Sequence, residues 1–143
     1  MTETRAGISI ADCRVIDLPV CSDLRGNLTA VEGARHVPFE IARIFYLDGV
    51  PPGATRAGHA NRRSDQVLIA LAGSFEVSVD DGCERHATTL SASSTGYLVP
   101  RMIWHELARF SPDAICLVLA SRSYDETDYH RDYDEYLRAI APR

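Results

Sequence analysis

Two histidines, His59 and His105, and a knot of arginines beside the first carry most of the chemistry open to this chain. An imidazole titrates near neutrality, so it can take up a proton and return it under physiological conditions. Around His59 the chain reads Arg56-Ala57-Gly58-His59-Ala60-Asn61-Arg62-Arg63, followed by Gln66 and, with six residues between, by Gly73. The planar fork of an arginine pairs well with phosphate oxygens. Arg56, Arg62 and Arg63, set in an acidic chain, therefore point to a small anionic ligand such as a diphosphate; the plainer reading of Arg62 and Arg63 is two solvated surface side chains. His105 closes a second short motif, Pro100-Arg101-Met102-Ile103-Trp104-His105. Two histidines fall short of the three protein ligands that a catalytic metal site usually uses. The neutral amides of Asn61 and Gln66 are poor ligands for Zn²⁺ or Fe²⁺. These residues favour proton transfer beside a bound anion over an open metal site, and no metal is expected. Alone, His59 would read as an inert, hydrogen-bonded structural histidine; a second histidine and an arginine nearby favour function.

The elements that must position these residues read as strands. Short apolar or alternating runs recur every eight to twelve positions between turn residues, as in an antiparallel barrel or sandwich. The expected strands are Arg14–Leu18, Asn27–Glu32, Ala42–Leu47, Gln66–Ala72, Ser74–Asp80, Arg85–Thr89, Gly96–Val99, Ile103–Leu107 and Ala114–Ala120. Ala72-Gly73 makes a tight corner, and Asp80-Asp81-Gly82 is a hairpin signal because glycine accepts positive φ. Ser74 to Asp80 alternates polar and apolar residues, which predicts one buried and one wet face. After Ser121 the pattern changes. Tyr129, Tyr133, Tyr136, Leu137 and Ile140 recur at helical spacing, and Thr127 or Asp128 is placed to cap a helix with acidic residues in its first turn. The spacing predicts one amphipathic helix over Asp128–Ile140, its tyrosines engaged in packing.

A length of 143 residues suits one domain, spanning 1–143, with one real core. A net charge of −5 gives the chain as a whole no drive toward nucleic acid. Its apolar runs fall far below the ~20 residues needed to cross a bilayer, and the polar start Met1–Arg5 opens no signal peptide. Four cysteines without a Cys-x-x-Cys pair fit a reducing cytoplasm. The glycine fingerprint of a dinucleotide site is absent, so no cofactor is expected.

The two motifs resemble those of the cupins, which read His-x-His, then Glu and Gly, and later Pro-x-Gly-x-x-His. Here Asn61, Gln66 and Met102 stand at the second His, the Glu and the second-motif Gly. The resemblance implies an all-β chain, a cupin or jelly-roll antiparallel β-barrel with a short C-terminal α-helix, in which His59 and His105 converge at the mouth. A closer resemblance covers nearly the whole chain: the sugar-nucleotide 3,4-ketoisomerases, small cupins acting on dTDP-4-keto-6-deoxyglucose. It rests on Arg25-Gly26-Asn27-Leu28, on Pro38-Phe39-x-Ile41-x-Arg43-Ile44-Phe45-Tyr46, on Arg56-x-x-His59 with Gln66-Val67-Leu68 and Gly73-Ser74, on Trp104-His105-Glu106, and on Leu119 through Tyr129.

What this resemblance implies is a carbonyl moved from C4 to C3 of a nucleotide-linked 6-deoxyhexose through an enediol, without metal or nicotinamide. In that scheme His59 is the base, Tyr46 donates to or orients a sugar oxygen, and His105 orients His59 or the ligand. Arg56 meets the diphosphate, with Arg43, Arg62, Gln66 and Arg25 as further substrate-binding residues. Asn61 is the departure, because the family carries a second histidine there. An amide can hydrogen-bond an enediolate oxygen but cannot shuttle a proton. The implied partners are a nucleotide sugar, most simply dTDP-linked, and a second copy of the chain in a homodimer. The rivals are a ketosugar-nucleotide epimerase and a non-catalytic sugar-nucleotide-binding cupin.

Overall fold

A computed structural model describes residues 7–141, so the polar segment Met1–Arg5 lies outside the described residues. The strands are β1 (Arg14–Asp17), β2 (Val20–Asp23), β3 (Gly26–Thr29), β4 (Arg43–Leu47), β5 (Arg56–Asn61), β6 (Gln66–Ala72), β7 (Phe75–Asp80), β8 (Arg85–Leu90), β9 (Thr95–Val99), β10 (Trp104–Ala108), β11 (Ile115–Ala120) and β12 (Tyr129–His130). One α-helix, α1 (Tyr133–Ile140), follows them. The alternating and apolar runs become strands for the expected reason: in β7, Phe75, Val77 and Val79 are buried while Glu76 and Ser78 between them are half-buried.

Two five-stranded antiparallel sheets form, in the orders β1-β9-β6-β11-β4 and β12-β5-β10-β7-β8. Their inner faces share one core, in which Leu68, Tyr97 and Val118 from the first sheet meet Phe75, Val77 and Leu107 from the second. The sheets are not closed into the expected barrel. Hydrogen-bonded ladders run within each sheet, and β1, β4, β8 and β12 are left as edges. The chain passes between sheets at Gly73, whose φ of +62° and crowded surroundings require glycine; a Cβ there would fall onto Ser111 and 2.8 Å from Ala114 Cα. The outer face of the first sheet is covered by Val31, Phe39 and Ile41 from the long segment before β4.

Three elements depart from the sequence reading. β5 was expected as no strand at all, since Arg56-Ala-Gly-His-Ala-Asn lacks β-branched residues. β2 and β3 form a separate two-stranded sheet with nearly every residue exposed. The helix expected over Asp128–Ile140 starts later. A short 3₁₀ turn (Glu126–Asp128) is capped by Asp125, β12 pairs antiparallel with Asn61 and Ala60 of β5, and α1 begins beyond Asp132, whose carboxylate accepts from Glu135 N–H. Tyr136 and Ile140 of α1 pack on Ala60 and Trp104, on the outer face of the second sheet. Tyr136 donates to the Met102 carbonyl at 2.7 Å. Among the described residues no helix is long and apolar enough to cross a membrane.

Candidate active site

β5 and β10 run side by side with His59 directly opposite His105. The register then slips, so that Glu106 pairs with Ala57, and Gly58 is the extra residue of a bulge. Ala57 and Gly58 adopt φ of +65° and +72°. For Ala57 that conformation costs roughly 1–2 kcal/mol, a strain of the kind stored where a strand must re-aim a side chain. The result is two imidazoles facing each other inside the sandwich, ring centroids 4.8 Å apart and nearly perpendicular.

They sit on a cavity of about 140 Å³ between the two sheets, room for roughly five waters. Phe45, Leu47, Leu68, Leu107 and Val118 form its apolar wall, and its polar groups come from Arg56, His59, Gln66, His105, Tyr129 and Arg131. His105 is buried, and its Nδ1–H donates to the Ile103 carbonyl at 3.2 Å, which leaves Nε2 as the bare nitrogen. Burial pushes its pKa below the ordinary imidazole value. His59 is different: both ring nitrogens are buried and neither has a hydrogen-bond partner among the described residues. Burial first, then the neighbouring His105 and Arg131, hold its pKa down to about 3. His59 is therefore a neutral, buried base without a hydrogen-bond partner among the described residues, and buried polar atoms of that kind call for an explanation beyond packing.

Of the residues singled out from sequence, His59, His105, Gln66 and Arg56 meet at this cavity. Arg43 stands beside it, its Nη2 donating to Tyr129 Oη at 3.3 Å and its guanidinium 4.9 Å above the Phe45 ring. Four do not join them in the single chain. Tyr46 lies on the outer face of β4 and is 65% exposed, because Phe45 and Leu47 on either side turn inward. Arg25 sits at the β2–β3 turn, paired with Asp23. Arg62 is exposed, and its backbone N–H donates to the Asp128 carbonyl. Asn61 is buried but spends its amide N–H on Asp128 Oδ2 at 3.1 Å.

Asp128 also accepts from Ser64 Oγ at 2.7 Å and from Arg63 N–H at 2.6 Å. Burial alone would raise its pKa, but these hydrogen bonds together hold it below the ordinary carboxylate range. The lock fixes the segment that places Tyr129 and Arg131 over the histidines. The Tyr129 ring stands edge-on to His59, centroids 4.9 Å apart, with the Arg131 guanidinium 4.4 Å from its own centroid. Sequence reasoning missed Tyr129 and Arg131 because tyrosines at helical spacing masked them. The available signal was their i, i+2 relation, which in a strand puts both on one face. Among the described residues no group of three or more His, Cys, Asp or Glu is placed to hold one metal ion.

The family described as FdtA: WxcM-like, C-terminal, matches residues 11–141. A relative from Aneurinibacillus thermoaerophilus, TDP-4-oxo-6-deoxy-alpha-D-glucose-3,4-oxoisomerase, is 40% identical over 128 residues, covering 90% of this chain and 92% of that one. A 3,4-ketoisomerase from Helicobacter canadensis superposes with a TM-score of 0.88 at 38% identity, covering 90% and 97% of the two chains. A sugar 3,4-ketoisomerase from Thermoanaerobacterium thermosaccharolyticum, solved in complex with TDP, gives 0.90 at 34% identity, covering 92% and 96%.

Proposed function

The chain belongs to the FdtA, WxcM-like C-terminal family, and on that footing we propose that it is a 3,4-ketoisomerase of a TDP-linked 4-keto-6-deoxyhexose, serving deoxysugar biosynthesis in the cytoplasm. The observation that carries this reading is His59: a buried imidazole with two unpartnered nitrogens, facing His105 across a small cavity rimmed by Arg56 and Arg131. The four free cysteines suit a reducing compartment.

The reaction needs a base for the C3 proton, beside the C4 ketone, and return of a proton to C4. His59 takes both roles. Burial, the largest cause of its low basicity, is joined by the charge of Arg131, and a diphosphate held by Arg56 and Arg131 offsets that charge and favours an imidazolium. His105, fixed by the Ile103 carbonyl, holds the His59 ring and presents Nε2 to a sugar hydroxyl. Gln66 and Arg43 bind sugar oxygens. Asn61 acts through Asp128 as a positioning residue. Arg25 and Arg62 reach a substrate only at the outer part of the site. The second copy in a homodimer is the source of Arg25, since the exposed β2–β3 hairpin carries it away from its own cavity.

The test is incubation with TDP-4-keto-6-deoxyglucose in D₂O, read by NMR. A 3-keto product with deuterium at C4 is expected from the wild type, and none from His59→Asn. A ketone that stays at C4 would make the protein an epimerase, and tight binding without exchange would make it a carrier. Exchange retained in His59→Asn would remove the base assigned here.

A further inference from the structure

An isomerase of this kind needs an acid as well as a base. As His59 removes the C3 proton, charge builds on the C4 oxygen, and general acid assistance there is worth about 10²–10⁴-fold. The cavity narrows the choice of donor. Arg56 and Arg131 keep their protons in proteins, and the amide of Gln66 is not an acid at neutral pH. His105 has given its Nδ1–H to the Ile103 carbonyl, so the nitrogen left over accepts. Tyr46, the hydroxyl suggested by sequence, is on the outer face of β4. Among the described residues that line the cavity, Tyr129 carries the one hydroxyl.

Its surroundings suit the task. Arg43 Nη2 donates to Tyr129 Oη, so the phenol proton is free to point elsewhere. Arg43 and Arg131 flank the ring, one at its oxygen and one against its face. The ring stands edge-on to His59, so acid and base share one small cavity. The Asn61–Asp128–Ser64 lock holds the segment just before it.

We infer that Tyr129 is the second proton-transfer residue of the reaction proposed above, cycling between phenol and phenolate beside Arg43. As His59 takes the C3 proton, the C3–H electron pair becomes the C3=C4 bond. The C4 carbonyl π pair moves to oxygen, which takes the Tyr129 proton, giving an enediol, a phenolate and an imidazolium. The phenolate then takes the proton of the C3 hydroxyl, whose O–H pair becomes the C3 carbonyl. The C3=C4 pair takes the proton of His59 at C4. Both side chains are restored and no electrons are gained or lost.

This inference rests on the ketoisomerase reading, and the two fail differently. The wild type is assayed first with TDP-4-keto-6-deoxyglucose; absence of turnover there overturns both. With turnover established, Tyr129→Phe keeps the ring against His59 and under Arg131 and removes only the hydroxyl. It is expected to keep the wild-type melting temperature and KM while kcat falls about 10²-fold or more. Replacement of Tyr129 by 3-fluorotyrosine, a more acidic phenol, is expected to shift the alkaline limb of the kcat–pH profile to lower pH. Unchanged kcat in Tyr129→Phe, or an unmoved limb with fluorotyrosine, overturns the assignment, since a purely structural phenol would leave that limb where it was.

Discussion

At the scale of single residues the site is governed by what burial does to an imidazole. His59 is held down to about 3 by burial, then by His105 and Arg131. The unfolded chain binds a proton on this residue below about pH 6.5, and the folded chain only near 3. Between those values the unfolded state carries more protons, so stability is lost as pH falls from 6.5 toward 3, and His59 contributes no pH dependence above that window. His105 and His130, also depressed by burial, push the same way. Asp128, a depressed carboxylate, loses its contribution only at lower pH, as acid protonates it through its folded value. Between pH 7 and pH 5, unfolding by urea is expected to show His59 costing the wild type about 2 kcal/mol that the His59→Asn variant does not lose. Identical pH dependence in the two proteins would mean that His59 is not desolvated in the folded state.

At the scale of elements, the segment from Asp125 to Arg131 works as a strap over the two histidines, and Asp128 is its fastening. Three donors from β5 and the loop after it converge on one buried carboxylate: Asn61 Nδ2, Arg63 N–H and Ser64 Oγ. Asp128→Ala strands them together, and each buried donor left unsatisfied costs about 1–3 kcal/mol. The expected outcome is a drop in stability of that order, read by chemical denaturation, with a larger fractional loss of kcat than of substrate affinity, because Tyr129 and Arg131 lose their seat. Wild-type kcat in a destabilised Asp128→Ala would dissociate the strap from the chemistry. The strap was the part least legible in the sequence. Tyr129, Tyr133 and Tyr136 fall at helical spacing, yet only the last two belong to α1, and a two-residue strand leaves no periodicity to read. β5 was hidden for a different reason: its Arg, Gly, His and Asn are there for the site and the bulge, and they erase the strand pattern. Where packing alone chose the residues, as in β6, β7 and β11, runs and alternation gave the strands to within a residue or so. His59, His105, Gln66 and Arg56 were legible through motif spacing. In the single chain Tyr46 faces away from the cavity and Asn61 turns to Asp128, because the inward face of β4 and the partner of Asn61 are set by tertiary pairing.

At the scale of the molecule, a single chain leaves a strand pair stranded. Among the described residues β2 and β3 pair only with each other, and an isolated two-stranded hairpin is marginal in water. Leu24 at its turn is fully exposed and Leu28 is 63% exposed. β4 is an open sheet edge whose outer face shows Ile44, 61% exposed, beside Tyr46. Exposed apolar side chains and an unpaired edge are what a protein–protein contact covers. A two-fold interface buries the same patch on both copies, so a hairpin reaching across to the partner's first sheet satisfies both features at once. It also gives Arg25 a role that it lacks in its own chain, since it rides at the tip of that hairpin. Sedimentation velocity is expected to return twice the chain mass for the wild type and a shift toward the chain mass for Leu28→Lys combined with Ile44→Lys. Isomerase activity per chain should fall with dissociation on dilution, and Arg25→Ala should raise KM in the dimer without dissociating it. A wild type that sediments at the chain mass, fully active at nanomolar concentration, would show that the hairpin is not an assembly arm and would leave Arg25 outside the site.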